Sequence, residues 1–322
     1  MSAPSLVNEA PLKGPFGKYA SVLEKIVATL VEWVAACLVL ACIGILFSGV
    51  VGRYVFNSPL VWSDELASIL FLWLAMIGSV IALKRGEHMR MTACISKMSD
   101  HKKVYFETLG VLACFFYLAI ILKPAYHFAL DELIVTTPSL EVSNLWRAAA
   151  IPSGIVLMMF FCLFRLARIS TLKITFNSLL LLAVVFAGLY FCSPWFGSLG
   201  KYNLLLFFVG VSGFSILAGV PIAFAFGLGT VAYLGLSTHM PLSVVIGRMD
   251  EAMSHMVLLA VPLFVFLGLL MEMTGMARAM IAFLASLLGH VRGGLSYVLV
   301  GAMYLVSGIS GSKAADMAAI AP

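Results

Sequence analysis

The sequence is poor in charge. Asp, Glu, Lys and Arg make up only 11% of its 322 residues, whereas 62% are hydrophobic, and the mean hydropathy is +1.07. A soluble domain carries charge on about 25% of its residues. The composition therefore excludes a soluble globular protein and indicates one that is embedded in a membrane.

Motifs for nucleotide hydrolysis and for metal catalysis are missing. The sequence has no G-x-x-x-x-G-K-[ST] phosphate loop, no H-E-x-x-H and no C-x-x-C pair. Cys37, Cys42, Cys114 and Cys162 fall inside apolar segments, where packing explains them better than disulfides or metal ligands. We therefore expect a protein that is not an enzyme, with no catalytic residue and no cofactor.

Apolar stretches recur from end to end of the chain. A stretch of about 20 such residues is long enough to cross about 30 Å of hydrocarbon. The stretches lie at residues 26–51, 66–83, 104–122, 147–166, 178–192, 203–218, 220–236, 256–271, 280–288 and 295–309. We predict an all-α integral membrane protein with nine or ten membrane segments.

Lys and Arg concentrate in alternate connections between these segments. They are frequent before the first segment, at residues 84–103 and at residues 165–173, and they are sparse in the other early connections. Basic loops stay in the cytoplasm. We therefore place the N-terminus in the cytoplasm, and we expect the net charge of +5 to face anionic lipid rather than nucleic acid.

The order of segments predicts three parts. Residues 1–173 form a four-helix membrane domain, and residues 174–202 form a linking transmembrane helix followed by a turn-rich outer segment at 193–200. Residues 203–322 form the beginning of a transport subunit. Four spans return the chain to the cytoplasm, so joining a unit that starts outside requires one more crossing. The alternative is that the linking helix is simply the fifth helix of one bundle.

Two features are assigned to the membrane surface. Residues 241–255 carry apolar side chains at three-to-four spacing opposite Arg248, Asp250 and Glu251, as in a helix that lies in the headgroup plane. Glu32, two turns into the first segment, fits partial burial near the headgroups better than a role in an ion path.

The connection between the first two segments is rich in polar signals. Pro59 breaks the helix, Ser63 is a good N-cap, and Asp64 and Glu65 place negative charge at the start of the second segment. One interpretation is an ordinary capped helix start. The other is a partner or subunit contact in which Arg53 pairs with Asp64 or Glu65.

The last apolar segment contains a Gly/Ser break, S-G-I-S-G-S at residues 307–312, and Asp316 follows it. Such a break survives at membrane depth only inside protein or beside water, and secondary transporters bind ions and substrate at such places. Gly308 and Gly311 permit unusual backbone angles, and the hydroxyls of Ser310 and Ser312 suit Na⁺. We predict a broken, re-entrant helix with a substrate or ion site there, in preference to a helix-packing face of small residues.

These residues resemble the permease subunits of tripartite ATP-independent periplasmic (TRAP) transporters. The first part is similar to the small membrane subunit at Arg53-Tyr-Val-Phe, at Pro59-Leu-Val-Trp-Ser-Asp-Glu65 and at Gly86-Glu-His-Met89. The later part is similar to the large subunit at Gly219-Val-Pro-Ile-Ala-Phe224, Ala260-Val-Pro-Leu-Phe264, Gly289-His-Val-Arg-Gly-Gly294 and the Gly/Ser break.

The resemblance implies a fused small-plus-large permease in the bacterial inner membrane. In that family a periplasmic substrate-binding protein delivers an organic anion, often a dicarboxylate or an acidic sugar such as sialic acid, and a Na⁺ gradient drives an elevator-like movement. By the same resemblance, Ser310, Gly311 and Ser312 would lie at a hairpin tip near Na⁺, with Asp316 in the helix beyond.

The family's large subunit continues through a second hairpin that this sequence does not contain. We therefore expect a fragment or natural truncation whose remaining half comes from elsewhere. The alternative function is a non-transporting membrane scaffold, or a split subunit that needs a partner polypeptide for transport.

Overall fold

The computed structural model describes residues 17–91, 95, 98–200, 202–238, 240–288 and 293–310. Within these residues every regular element is a helix, and the only strand-like feature is an isolated bridge between Thr136 and Ser143. The predicted all-α class is confirmed. The first six helices are α1 (Gly17–Tyr54), α2 (Val61–Arg85), α3 (Asp100–Asp131), α4 (Leu145–Ala148), α5 (Ala150–Ile169) and α6 (Leu172–Leu199).

The helices after residue 200 are shorter. They are α7 (Tyr202–Leu204), a π-helical segment (Leu205–Val211), α8 (Ser212–Leu217), α9 (Ile222–Ser237), α10 (Ser243–Met253), α11 (Met256–Leu259), α12 (Val261–Met273), α13 (Met276–Leu288) and α14 (Gly294–Ser310). A helix rises about 1.5 Å per residue, so the 16 residues of α9 give about 24 Å. That is less than the hydrocarbon thickness of a bilayer.

Five helices among the described residues are long and apolar enough to span a membrane. They are Tyr19–Tyr54, Val61–Arg85, Asp100–Asp131, Leu145–Ile169 and Leu172–Phe196. A sixth is possible if Ser243–Met253 and Met256–Met271 form one broken span. The predicted nine or ten segments all coincide with helices, but in the described part of the chain only these five or six reach spanning length.

The chain divides into two compact units. The first comprises the described parts of Met1–Cys37 and Leu72–Met253, and the second those of Leu38–Phe71 and Ser254–Pro322. The long helices α1 and α2 each contribute to both units. The first unit therefore combines most of the predicted four-helix domain with helices on the far side of the predicted linker.

The core of the first unit lies between α3 and α5. Fully buried Leu118 and Ile121 on α3 and Ile151 and Ile155 on α5 are among its side chains. A Cβ atom on Gly154 of α5 would lie 2.6 and 2.9 Å from Cε and Cβ of Met76 on α2. The glycine is therefore required for the close approach of these two helices, as small residues are in membrane proteins generally.

The predicted turn at residues 193–200 is wrong except at its end. Helix α6 continues through Pro194 to Leu199, and the chain turns at Gly200, whose φ is +53°. Tertiary contacts explain the continuation: the Ser193 hydroxyl donates to the Leu236 carbonyl at 2.9 Å, and the buried ring of Phe196 lies 5.2 Å from that of Phe207. These contacts override the local turn signals of proline and glycine.

The second unit contains the turn between α1 and α2 and a set of short helices. A Cβ on Gly49 would lie 2.7 Å from Ser63 Oγ, so α1 and α2 approach closely there. Farther along, α12 and α13 are joined by a turn at Gly275 (φ +73°), and both helices contact α14. Gly293, with φ +78°, precedes α14.

Candidate functional site at the junction of two sequence motifs

Two motifs that lie far apart in the sequence meet in the first unit. The backbone N–H of Ile222 donates to the carbonyl of Met89 at 3.0 Å. Nearby, the ring of His88 lies edge-on to that of Phe224, with the ring centres 5.4 Å apart. The segments 86–89 and 219–224, each singled out by its resemblance to a different subunit, thus form one junction.

The first of these motifs begins at the C-terminal end of α2. Gly86 has a φ of +71°, its N–H donates to the Leu83 carbonyl at 3.2 Å, and the Glu87 N–H donates to the Ala82 carbonyl at 2.9 Å. This pair of bonds is the Schellman motif, which favours glycine because a side chain is strained at positive φ.

The second motif begins in the same way after α8. Gly219 has a φ of +85°, its N–H donates to Ile216 O at 3.0 Å, and the Val220 N–H donates to Ser215 O at 3.0 Å. A Cβ on Gly110 of α3 would lie only 3.4 Å from the Gly219 carbonyl oxygen. The two glycine turns and a small residue of α3 therefore allow three backbones to come close together.

A small cavity of about 30 Å³ lies between the two turns. By this measure of volume one water needs about 10–15 Å³, so the space holds a very small group. Polar and charged side chains from α3, α5 and the segment after α2 reach it, and both glycine turns border it. Its lining includes Gly86, His88, Arg90, Glu107, Arg165 and Gly219.

Two arginines approach each other at this cavity. Arg165 Nη1 and Arg90 Nη2 each lie 3.3 Å from the position that a Cβ on Gly86 would occupy. Arg165 Nη1 also donates to the Leu83 carbonyl at 3.3 Å, which places a positive charge at the negative end of α2. Among the described residues, neither arginine has an ion-pair partner within 4.0 Å.

His88 is held in its neutral form at this junction. Desolvation by burial lowers the pKa of His88, and the hydrogen bond between its Nε2 and the Ser79 carbonyl, at 3.1 Å, opposes the shift in part. A neutral imidazole that donates to a carbonyl through Nε2 carries its proton there. His88 therefore contributes packing and one hydrogen bond but no charge near neutral pH.

A second polar link joins α4 to α10. Arg147 Nη2 lies 2.7 Å from Asp250 Oδ2, and the two side chains are 22% and 8% exposed. Asp250, assigned from the sequence to the polar face of a surface helix, is instead buried. This pair could not be predicted from a local pattern because its members are 103 residues apart.

Ion pairs also attach the beginning of α1 to the helices around it. Glu24 pairs with Arg168 of α5, and Glu32 lies 3.1 Å from Lys84 Nζ and 3.5 Å from Arg85 Nη2. Neither contact was predicted from the sequence. One feature of the sequence could have indicated these pairs. Glu24 and Glu32 lie near the start of the first apolar segment, at the end of the bundle where Lys and Arg concentrate.

The connection between α1 and α2 contains the predicted arginine–carboxylate pair. Arg53 Nη2 lies 3.3 Å from Asp64 Oδ2, with the two side chains 55% and 49% exposed. The predicted N-cap is wrong: α2 begins at Val61, and the Ser63 hydroxyl donates to the Leu60 carbonyl at 2.7 Å. A contact with a partner through Arg53, Asp64 or Glu65 stays a prediction.

The predicted ion site lies at the edge of the described chain. Helix α14 is unbroken from Gly294 through Gly308 to Ser310. Gly311, Ser312 and Asp316 lie outside the described residues. The roles predicted for Gly308, Ser310, Gly311, Ser312 and Asp316 therefore stay predictions. The described residues contain no group of three or more His, Cys, Asp or Glu able to hold a metal ion.

The fold and the junction define a multi-pass helical membrane protein in which two sequence modules are packed together. Comparison with protein families identifies the modules. Residues 42–172 match the DctQ component of tripartite ATP-independent periplasmic transporters, and residues 208–322 match the DctM component. The chain belongs to the TRAP transporter family and combines its small and large permease components.

Individual relatives agree with this assignment. The chain is 29% identical over 318 residues to the sialic acid TRAP transporter permease protein SiaT of Haemophilus influenzae (strain 86-028NP), covering 93% of this chain and 49% of the relative. It is 26% identical over 269 residues to the isethionate TRAP transporter permease protein DctMQ of Oleidesulfovibrio alaskensis, covering 81% and 41%. The chain thus spans about half the length, or less, of these relatives.

A shorter relative is a small permease protein. The sialic acid TRAP transporter small permease protein SiaQ of Vibrio cholerae is 27% identical over 139 residues, which cover 43% of this chain and 80% of that protein. The bond between Met89 and Ile222 and the ion pair between Arg147 and Asp250 each join a residue of the first matched region to one of the second. The candidate site is therefore the contact between the two modules.

Proposed function

We propose that this chain is the membrane permease component of a Na⁺-coupled importer of organic anions, supplied by a periplasmic substrate-binding protein. The observation that carries the proposal is the order of the two modules, a small-component match followed by a large-component match in one chain. The protein would lie in the bacterial inner membrane with its N-terminus in the cytoplasm, as the distribution of Lys and Arg indicates.

The proposed substrate is a small organic anion. Two relatives are named for sialic acid, a carboxylate, and for isethionate, a sulfonate. Coupling to Na⁺ is assigned to the Gly/Ser segment at the end of the chain, with Ser310 and Ser312 as oxygen donors and Asp316 as a nearby negative charge. Hydroxyl and carbonyl oxygens are the ligands that hard cations prefer.

The first unit is suited to a supporting role in this mechanism. Helices α9 and α10 belong to the large-component region and are attached to the small-component region by the Met89–Ile222 bond and by the Arg147–Asp250 pair. We propose that this attached part stays fixed while an elevator-like transport domain, built from later residues of the large component, carries the solute.

Uptake into proteoliposomes tests the proposal. The chain is co-reconstituted with a segment that supplies the rest of the large-permease length of its relatives and with a periplasmic binding protein loaded with labelled sialic acid or C4-dicarboxylate. Solute should accumulate with an inward Na⁺ gradient and should not accumulate with K⁺ in its place. Ser312→Ala should weaken the Na⁺ dependence, whereas Ser286→Ala, an exposed hydroxyl on α13, should leave it unchanged.

The alternative is a scaffold that transports nothing itself. If binding protein and solute are present and uptake is absent under every cation gradient, while a partner polypeptide still copurifies, the scaffold function replaces the transport function. Uptake that is equal in Na⁺ and K⁺ would instead retain transport and reject Na⁺ coupling.

A further inference from the structure

We propose that the cavity beside Gly86 binds the phosphate group of an anionic phospholipid, held between the guanidinium groups of Arg90 and Arg165. No role in transport is required of this site. Its lining comes from both modules, with Arg90, Glu107 and Arg165 in the small-component region and Gly219 and Pro221 in the large-component region. A lipid bound there would hold the two modules together.

Charge is the first argument. Arg90 and Arg165 face the same small space, and Glu107 is the only acidic residue in its described lining. With His88 neutral, the cavity keeps one excess positive charge. Both arginines are only half-buried. Two guanidiniums that approach each other repel, and an anion between them removes that repulsion and forms charge-assisted hydrogen bonds.

The neighbouring cations are already compensated. A second cavity of about 20 Å³ adjoins the first through Arg165 and Leu83, and it is lined by Glu24, Lys84 and Arg168 among others. There Arg168 pairs with Glu24, and Lys84 pairs with Glu32. Among the cationic side chains that line the two described cavities, Arg90 and Arg165 are those without an ion pair within 4.0 Å, which selects the cavity beside Gly86 for the anion.

Geometry is the second argument. Arg165 Nε is buried and has no hydrogen-bond partner in the described chain, although its Nη1 is bound to Leu83 O. A guanidinium has five N–H donors in a planar fork that matches the oxygens of a phosphate. Gly86 leaves open the point that is 3.3 Å from both guanidiniums, where a Cβ of any other residue would lie.

The surroundings favour a lipid as the source of the phosphate. The cavity lies at the end of α2 and α5 that the basic residues place at the cytoplasmic leaflet, where anionic lipids concentrate. An apolar groove of about 610 Å³ runs between α3, α6 and α9. Its residues Leu109 and Val220 are chain neighbours of Gly110 and Pro221 at the polar cavity, so acyl chains have an apolar surface close by.

The test measures lipid binding to the whole purified chain in detergent. Phosphatidylglycerol, phosphatidylcholine and inorganic phosphate are titrated separately, and thermal stability and retained lipid by native mass spectrometry are recorded. We expect stabilisation by phosphatidylglycerol alone. Arg90→Gln should weaken its binding about tenfold, because a hydrogen bond to a charged group is lost.

Two further variants keep the test decisive. Lys103→Gln removes an exposed charge from the beginning of α3, where the lysine pairs with Asp100, and should bind phosphatidylglycerol as the parent does. Gly86→Ala keeps every charge but fills the opening, and it also strains the turn because the φ of Gly86 is +71°. It should bind phosphatidylglycerol more weakly than the parent, and its melting temperature without lipid is recorded to separate that loss from the strain. Arg165→Gln is less informative, since it also removes the bond to Leu83 and with it part of the helix end.

The outcomes separate the sources of the anion. Equal stabilisation by phosphatidylcholine, or equal losses in the Arg90 and Lys103 variants, would overturn the site. Stabilisation by inorganic phosphate that matches phosphatidylglycerol would overturn the lipid and leave a soluble phosphate in its place.

Discussion

Helices α3 and α6 are both apolar enough to span a membrane, yet they have very different surroundings. Half of the most apolar stretch of α3 (50%) is buried inside the protein, against 6% of that of α6. Helix α3 contacts α5, α6, α9 and α10, so it connects the two modules, whereas α6 mainly covers one side of α3 and α9. Hydropathy alone therefore identifies membrane helices without telling which of them organise the fold.

The largest loss of stability is expected when the buried ion pair between Arg147 and Asp250, close to α3, is broken. Asp250→Ala leaves the charge of Arg147 buried without its carboxylate, which should cost about 3 kcal/mol of stability. Glu251→Ala removes the exposed partner of Arg248 on the same helix and should cost less than about 1 kcal/mol. Thermal unfolding in detergent compares the two. Equal losses would mean that Asp250 is solvated and that α10 is not anchored through it.

A matched pair of glycine variants tests the contrast between the buried core and α6 directly. Gly154→Leu on α5 would clash with Met76 and should destabilise the fold by about 2 kcal/mol, with a lower yield of monodisperse protein. Gly188→Leu on α6 should behave as the parent, because beyond its own helix turn no described atom lies within 4 Å of the Cβ position. Size-exclusion profiles and melting temperatures provide the measurement. A strong defect in Gly188→Leu would show that α6 is packed in the native protein.

A smaller change in stability is expected when the pH is lowered, because His88 lies at the junction of segments 86–89 and 219–224. The pKa of His88 lies below its ordinary value of 6.5 because burial disfavours the charged ring. The stability that neutral His88 contributes is therefore fully present above pH 6.5, the ordinary pKa of the unfolded state. This stability is lost as the pH falls through the lower pKa of the folded state. Melting temperatures from pH 7.5 down to 5 should fall more steeply in the parent than in His88→Asn. Parallel curves would remove His88 from the pH response.

The smallest effect is expected at the exposed pair between α1 and α2. Arg53→Ala breaks a contact in which about half of each side chain is exposed, so stability should change by about 0.5 kcal/mol or less. A large loss of stability on its own would contradict the assignment of this pair to an exposed surface. A large loss of transport with unchanged melting temperature would support the predicted contact with a partner at this end.

The sequence predicted the positions of the helices well because apolar length is a local property. It also identified both motifs of the junction, through their glycines and their resemblance to two subunits. It did not place them together, since the bond between Met89 and Ile222 depends on how α3 and α9 pack. The outer turn was mispredicted for a similar reason: Phe196 is buried against Phe207, and a distant contact decided a local conformation.

Polar pairing was the least predictable property of the site. Asp250 and Arg248 belong to one amphipathic helix, yet Asp250 is buried and Arg248 is exposed. A hydrophobic pattern assigns residues to a face and does not say which charged residue on the polar face meets a distant partner. The ion pairs of Glu24 and Glu32 escaped prediction for the same reason, because their partners on other helices lie 144 and 52 residues away in the sequence.

The sparse packing of α6 has a consequence for how the two modules stay together. The hydrogen bond between Met89 and Ile222 uses backbone atoms only, so it tolerates changes of side chain on either side. When the modules are separate proteins, such a contact must form at the concentrations of two diffusing subunits. A covalent link makes the second encounter intramolecular and gives it an effective concentration that reaches about the millimolar range. The residues between the two matched regions, 173–207, provide that covalent link, so a junction too weak to recruit a free subunit would still hold a linked one.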